Sequence, residues 1–180
     1  MSAFPTITEQ ISIISRMIVP YILIALFLVL ELVSLSFINE HMTQLPFLLI
    51  ALFYWAVYRP TLLPLWLVFC MGFLVDIAST VPLGIHAILF TGIFWFIAKQ
   101  RLSLIVQSYG VIWFLFGTIL TGFYGIRWLV ISGLNWHLFP LDHSGFEIMS
   151  GFLIFPFVTF FLHVSHKILP SVKGQISMGL

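Results

Sequence analysis

Long apolar runs, separated by short polar segments, occupy most of the chain from residue 17 onwards. A helix needs roughly 20 apolar residues to cross a membrane. Six runs reach or approach that length: 17–37, 45–58, 62–78, 83–98, 104–131 and 148–169. The second and fourth are short, so each is expected to be tilted less, to thin the bilayer locally or to re-enter without crossing. The pattern predicts an all-α membrane protein, a compact bundle of about six transmembrane helices.

Glycine and proline predict irregularities in the last two runs. Gly122 and Gly125 lie near the end of the long fifth run and favour a break there. Pro156 lies inside the sixth run. A proline within a helix usually kinks it, so we expect a kink at this position.

The composition agrees with a lipid environment. The chain is 61% hydrophobic and only 7% charged, whereas an ordinary soluble domain carries roughly 25% charged residues. The net charge is +1, and no basic patch gives a sign of nucleic-acid binding. Cys70 is the single cysteine, which rules out an internal disulfide.

The basic residues predict the orientation, because cytoplasmic loops collect Lys and Arg. With six crossings and an inside N-terminus, the residues that fall inside are Arg16, Arg59, Lys99, Arg101, Lys167 and Lys173. The expected outer loops, 39–44, 79–82 and 132–147, contain no Lys or Arg. Arg127 is the exception, near the outer end of the fifth span. Both termini are therefore expected in the cytoplasm.

This topology divides the chain into three parts. Residues 1–16 form a cytoplasmic N-terminal arm, 17–169 the six-helix transmembrane domain, and 170–180 a cytoplasmic tail. Two inner connections, 58–60 and 99–101, are tight turns. Such turns force the helices that they join to be antiparallel neighbours.

Three ionisable residues fall inside the apolar runs, where charges are costly and often functional. Glu31, Asp76 and Arg127 all lie toward the outer leaflet, so a buried pair or triad is geometrically possible. A charge pair that holds helices together, or side chains that reach the head groups, is favoured over a proton or ion pathway. Asp76 is the first expected partner of Arg127, and Glu31 is the second.

Asp76 belongs to a denser cluster of special residues. Gly72 is four residues earlier, hence on the same helix face, and its lack of a side chain allows a neighbouring backbone to approach. An acid near the C-terminus of a helix is badly placed against the helix dipole, so a specific donor is expected nearby. Pro82 suits the first turn of the next helix, which would present Gly84 and His86. We expect a polar clasp between the third and fourth helices; a small-ligand site is the alternative.

Catalytic motifs are absent from the sequence. It contains no nucleophile elbow, P-loop, zinc-protease motif or Gly-rich dinucleotide fingerprint. His163 and His166 have a spacing that suits a metal, but in the last turn of a helix such side chains satisfy free carbonyls. No catalytic residue, cofactor or metal site is predicted.

Three segments in the middle of the chain resemble one known family. They are Tyr-Trp-Ala-Val-Tyr-Arg-Pro at 54–60, Gly-Phe-Leu-Val-Asp at 72–76 and Pro-Leu-Gly-Ile-His-Ala at 82–87. The bacterial rod shape-determining protein MreD family has a Tyr-Trp and Arg-Pro turn, a Gly-Leu-Leu-x-Asp segment and a Pro-Leu-Gly-x-Asn/His-Ala start in this order. The specific resemblance covers residues 45–96, and the rest is similar in hydropathy.

The resemblance implies a non-enzymatic, multi-pass subunit of the cell-elongation machinery in the bacterial inner membrane. The implied partners are MreC, the actin-like MreB, the glycosyltransferase RodA and the elongation-specific class B penicillin-binding protein, which together direct peptidoglycan synthesis. The family is also similar in fold to the substrate-binding subunits of energy-coupling-factor transporters, so a small-molecule-binding transporter subunit is the alternative. The candidates for structural or partner-binding roles are Glu31, Arg59, Gly72, Asp76, Pro82, Gly84, His86 and Arg127.

Overall fold

The computed structural model describes residues 7–37, 45–79, 81–135 and 142–168. Within these ranges the chain forms six α-helices and one short 3-10 helix, with no strand. The helices are α1 (Ile7–Phe37), α2 (Phe47–Tyr58), α3 (Leu65–Ala78), α4 (Ile85–Leu104), α5 (Tyr109–Asn135) and α6 (Asp142–Ile168), and the 3-10 helix is Pro60–Leu62. The predicted all-α class is confirmed.

The lengths and surfaces of the helices are those of a helical membrane protein. In the described part of the chain, α4, α5 and α6 contain apolar stretches long enough to cross a membrane, while those of α1, α2 and α3 are shorter. Large apolar side chains such as Trp66, Ile88 and Phe157 point outward. A surface of this kind requires lipid rather than water around it.

The second half of the bundle is more continuous than the hydropathy pattern predicts. α4 runs through residues 99–101, for which the sequence pattern predicts a turn, so the fourth span is not short. α5 runs through Gly122 and Gly125, so the expected break there is wrong. A broken helix in lipid would leave backbone N–H and C=O groups without partners, which favours continuity.

Helices also extend into segments that the pattern treats as polar. α6 begins at Asp142, so residues 142–147 of the expected outer loop form its first turns. α1 begins at Ile7, within the expected N-terminal arm. The tail expected at 170–180 lies outside the described residues.

The core is built around α2. All ten residues from Leu48 to Val57 are buried, because α1, α4 and α6 pack around this helix. The Phe53 ring meets Phe116 and Phe155 edge to face, with ring centroids 5.2 and 5.8 Å apart. With 12 residues, α2 is about 18 Å long. The short second run is therefore a central helix that other helices enclose.

Pro156 lies inside α6 without ending the helix. Proline has no N–H, so the carbonyl of Phe152, four residues earlier, loses its helical partner. Trp113 of α5 donates its indole N–H to that carbonyl at 2.9 Å, and the Trp113 and Phe152 rings stack with centroids 4.8 Å apart. The indole therefore supplies the bond that proline removes and ties α5 to α6.

Replacing Trp113 by phenylalanine tests this bond. The partly buried Phe152 carbonyl would be left without a donor, so the free energy of unfolding should fall by about 1–3 kcal/mol. Pro156→Ala restores a backbone donor, so Trp113→Phe should cost less in that background. Unfolding in mild detergent measures all four proteins of the cycle. An equal cost of Trp113→Phe in both backgrounds would contradict the assignment.

Candidate functional site: a carboxylate clasp between two helices

The charged side chains of the described residues form two groups, one at each end of the bundle. Successive helices run antiparallel, so the C-terminal ends of α1, α3 and α5 meet the N-terminal ends of α2, α4 and α6. This end, the acidic end, holds Glu31, Asp76, Arg127 and Glu147. The opposite end, the basic end, holds Arg59, Lys99 and Arg101.

Asp76 is the centre of the candidate site and is only 1% exposed. Its Oδ2 accepts hydrogen bonds from the backbone N–H groups of Gly84 at 3.0 Å and Ala87 at 3.1 Å. Its Oδ1 accepts from the backbone N–H of His86 at 3.0 Å, and the Nδ1 of that residue lies 2.9 Å away. Both oxygens of the buried carboxylate are thus engaged by one short segment.

The partners of Asp76 are the first backbone N–H groups of α4. These groups have no acceptor within their own helix, and they carry the positive end of its dipole. Gly84 precedes the helix with φ at 100°, a left-handed conformation that favours glycine. The acid of α3 therefore caps α4, which offsets its unfavourable place at the end of its own helix.

The clasp predicted between the third and fourth helices is confirmed in its contacts. One detail is wrong: Pro82 lies in the turn before Gly84 and not in the first turn of α4, which begins at Ile85. The His86 ring also packs against Phe90 and Phe123, with centroids 5.7 and 5.8 Å away. The clasp is thereby joined to α5.

Gly72 allows the two helices of the clasp to meet backbone to backbone. A Cβ at this position would lie 2.6 Å from the Ala87 Cα and 2.8 Å from the His86 carbonyl oxygen. Both distances are far inside van der Waals contact. α3 and α4 make the most extensive contact of any two described helices, and this approach places the N-terminus of α4 within reach of Asp76.

Glu31 caps a helix in the same way. Its carboxylate is buried and accepts a hydrogen bond from the backbone N–H of Leu48 at 3.2 Å. Leu48 is the second residue of α2, so this N–H is one of those that a helix leaves unsatisfied. The sequence does not reveal this role directly. Its only signal is an acid near the end of one apolar run, with the next antiparallel run beginning shortly after.

Arg127 pairs with Glu147, a residue that the sequence does not predict as its partner. Asp76, the first expected partner, has both oxygens engaged by α4. The Arg127 Nη1 lies 3.7 Å from the Glu147 Oε2, and the guanidinium also lies 5.7 Å from the Tyr124 ring centroid. Glu147 had been assigned to the outer loop. The early start of α6 brings it onto a helix beside α5.

Removing Arg127 should take one charged partner from the Glu147 carboxylate. The two side chains are 15% and 10% exposed, so we expect Arg127→Ala to cost about 1–3 kcal/mol, less than a fully buried pair. Adding Glu147→Ala should recover part of that loss. Lys99→Ala at the basic end is the control, and it should be additive with Glu147→Ala. Additive losses for the Arg127 pair, measured by unfolding in detergent, would reject the interaction.

Arg59 is not part of the clasp. It follows α2 directly, where its backbone N–H donates to the Trp55 carbonyl at 2.9 Å, and so it lies at the basic end. The residues that the structure brings together are Gly72, Asp76, Gly84 and His86. No group of three or more His, Cys, Asp or Glu side chains within the described ranges is placed to hold a metal.

The contacts of the clasp join two helices. Asp76 uses both oxygens on α4, and its contacts hold two helices at a fixed distance. These features define a helical membrane protein whose buried polar groups connect helices. The model of the rod shape-determining protein MreD family matches residues 11–168 of the chain. The chain belongs to this family and so has a role in rod shape determination, as the resemblance at residues 45–96 predicts.

No curated protein and no solved structure gives a significant match to the chain.

Proposed function

We propose that the protein is a non-enzymatic scaffold subunit of the bacterial cell-elongation machinery, acting with MreC and the peptidoglycan synthases to maintain rod shape. The observation that carries this proposal concerns Asp76. Its buried carboxyl group joins α3 to α4 by accepting three backbone hydrogen bonds. A bundle fixed in this way presents constant helix faces. Constant faces are what a membrane scaffold needs in order to position its partners.

The proposed partners follow from membership of the family. MreC, RodA and the elongation-specific class B penicillin-binding protein would bind within or beside the membrane, and MreB would bind directly or indirectly from the cytoplasmic side. The large apolar side chains on the outside of α3, α4 and α6 offer surface for lipid and for helices of such partners. The described connections between helices are short, so recognition would fall mainly on the helices.

Purification from membranes in a mild detergent tests the proposal. The tagged protein should recover MreC and the elongation synthases, while an unrelated multi-pass protein carrying the same tag should not. Recovery of an ATPase together with a retained vitamin would instead favour the substrate-binding subunit of a transporter. Absence of MreC and the synthases from repeated purifications would overturn the scaffold.

We further propose six crossings of the cytoplasmic membrane with both termini in the cytoplasm. The segregation of Arg59, Lys99 and Arg101 at one end of the bundle supports this orientation, since basic residues stay inside. A reporter fused after Leu180 should be active in the cytoplasm, and one inserted beside Asp142 should report the periplasm. A cytoplasmic signal beside Asp142 would rule out this topology.

A further inference from the structure

A cavity of about 420 Å³ opens at the basic end of the bundle, between α2, α5 and α6. Six of the ten side chains known to line it, within the described ranges, are Phe or Tyr. Ligand cavities in proteins typically measure about 300–1,000 Å³ and are mostly apolar with a few polar groups. The space is therefore large enough for part of a small organic molecule.

The polar groups of the cavity include two exposed side chains, Tyr109 and His163, and the buried side chains of Tyr54 and Thr159. The Tyr109 hydroxyl lies 2.8 Å from the Thr159 Oγ1, and Thr159 also donates to the Phe155 carbonyl of its own helix at 2.8 Å. Tyr109 is 48% exposed, and His163 is exposed as well. The inner wall is formed by aromatic and aliphatic side chains such as Phe53 and Ile112.

This lining excludes two classes of ligand. No Asp or Glu is among the lining residues that the structure describes, so a cation would enter without a counter-charge from them. A hydrophilic molecule would lose its hydration and find few groups to replace it, which is costly. The ligand must be apolar over most of the part that enters, with a polar group at the mouth.

The arginines at this end of the bundle favour an anionic polar group. Arg59 directly follows Tyr58, which lines the cavity, and Arg101 lies at the same end of the bundle. Basic pockets between membrane helices bind the head groups of anionic lipids. We propose that the cavity holds one acyl chain of an anionic phospholipid, with the phosphate beside Tyr109, His163 and Arg59. This site is separate from the clasp and does not depend on the scaffold function.

Native mass spectrometry of the protein, released from bilayers of phosphatidylglycerol and phosphatidylethanolamine, tests the site. The wild-type protein should retain one phosphatidylglycerol. Ile112→Phe adds volume to the cavity wall and should lower retention at least about tenfold, because the larger side chain occupies space that the acyl chain needs. Ile119→Phe, the same change on α5 outside the cavity, should retain the lipid. Equal retention by the two variants would overturn the assignment.

The head-group preference gives a second measurement that does not disturb the core. Arg59→Gln should weaken phosphatidylglycerol binding about fivefold, because one cationic side chain contributes about 1 kcal/mol near anionic lipid. Lys99→Gln, at the same end but over the Trp95 ring, should leave it unchanged. A phospholipid with a photoreactive acyl chain should label the wild-type protein around Phe155 and Thr159. Labelling spread evenly over the exposed faces of α1, α3 and α6, or no preference for the anionic lipid, would refute the proposal.

Discussion

Alanine at position 72 will push α3 and α4 apart and destabilise the protein by about 3 kcal/mol or more, at the upper end of overpacking costs. The added methyl group meets the Ala87 Cα at 2.6 Å and the His86 carbonyl oxygen at 2.8 Å. Both are backbone atoms, so no side chain can rotate away to make room. Any separation also lengthens the hydrogen bonds of Asp76, one turn along the same helix. We therefore expect Gly72→Ala to lose both stability and function.

Gly92→Ala is the matched control. Gly92 lies on α4, and a Cβ there would meet nothing within 4 Å. The change should be neutral or should stabilise the helix by up to about 1 kcal/mol, because alanine has the higher helix propensity. Thermal unfolding in detergent compares the two variants. In cells depleted of the native protein, Gly92→Ala should restore rods and Gly72→Ala should leave rounded cells. Equal behaviour of both would show that the backbone contact is unimportant.

Asp76→Leu is expected to have the other large effect, and Asp76→Asn an intermediate one. Leucine strands the backbone donors of Gly84, His86 and Ala87, at about 1–3 kcal/mol for each neutral group left unsatisfied, although such losses do not add fully. Asparagine keeps one accepting oxygen but turns an NH2 group toward a donor. Asn should therefore rescue rod shape better than Leu, and the loss of rescue should follow the loss of co-purifying MreC.

Ser79→Ala is a control for Asp76 at the same helix end. The Ser79 hydroxyl donates to the backbone carbonyl of Asp76 at 3.2 Å, so its removal should change the free energy of unfolding by no more than about 0.5 kcal/mol. One result would revise the role of Asp76. If Asp76→Asn folds, binds MreC and still fails completely in cells, the negative charge itself is required. An ion-coupled or ligand-binding role would then replace the mechanical one.

The contacts of Asp76 could be predicted because they follow from local rules. A charge at the C-terminal end of an apolar helix needs a donor, and Gly72 on the same face indicates where a neighbouring helix can approach. The turn that follows is short, so the donor is expected on the next helix, where His86 offers a ring nitrogen. The three backbone N–H groups that Asp76 also engages do not follow from the sequence. The end of α3, the short turn and the start of α4 are adjacent in sequence, so a contact between the two helices at Asp76 can be predicted.

The partner of Arg127 could not be predicted in this way. A prediction from hydropathy places the ends of a helix at the ends of its apolar run. α6, however, begins six residues before its apolar run, at Asp142. An acid at a helix N-terminus stabilises such an extension electrostatically, and this effect leaves no trace in an apolar pattern. The hydropathy pattern therefore places Glu147 in a loop. The Glu31 cap was missed for a related reason, since Leu48 contributes a backbone group that no side-chain pattern shows.

The complete enclosure of α2 determines when the bundle can finish assembling during synthesis. α2 is made early, but α4 and α6, which cover it, are made later. Until α6 has entered the bilayer, the face of α2 that carries Phe53 lacks its contact with Phe155. The native packing around residue 50 thus forms only after residues near 155 have been synthesised. A chain that stalls before α6 therefore offers an incomplete core to the proteases that remove unfinished membrane proteins.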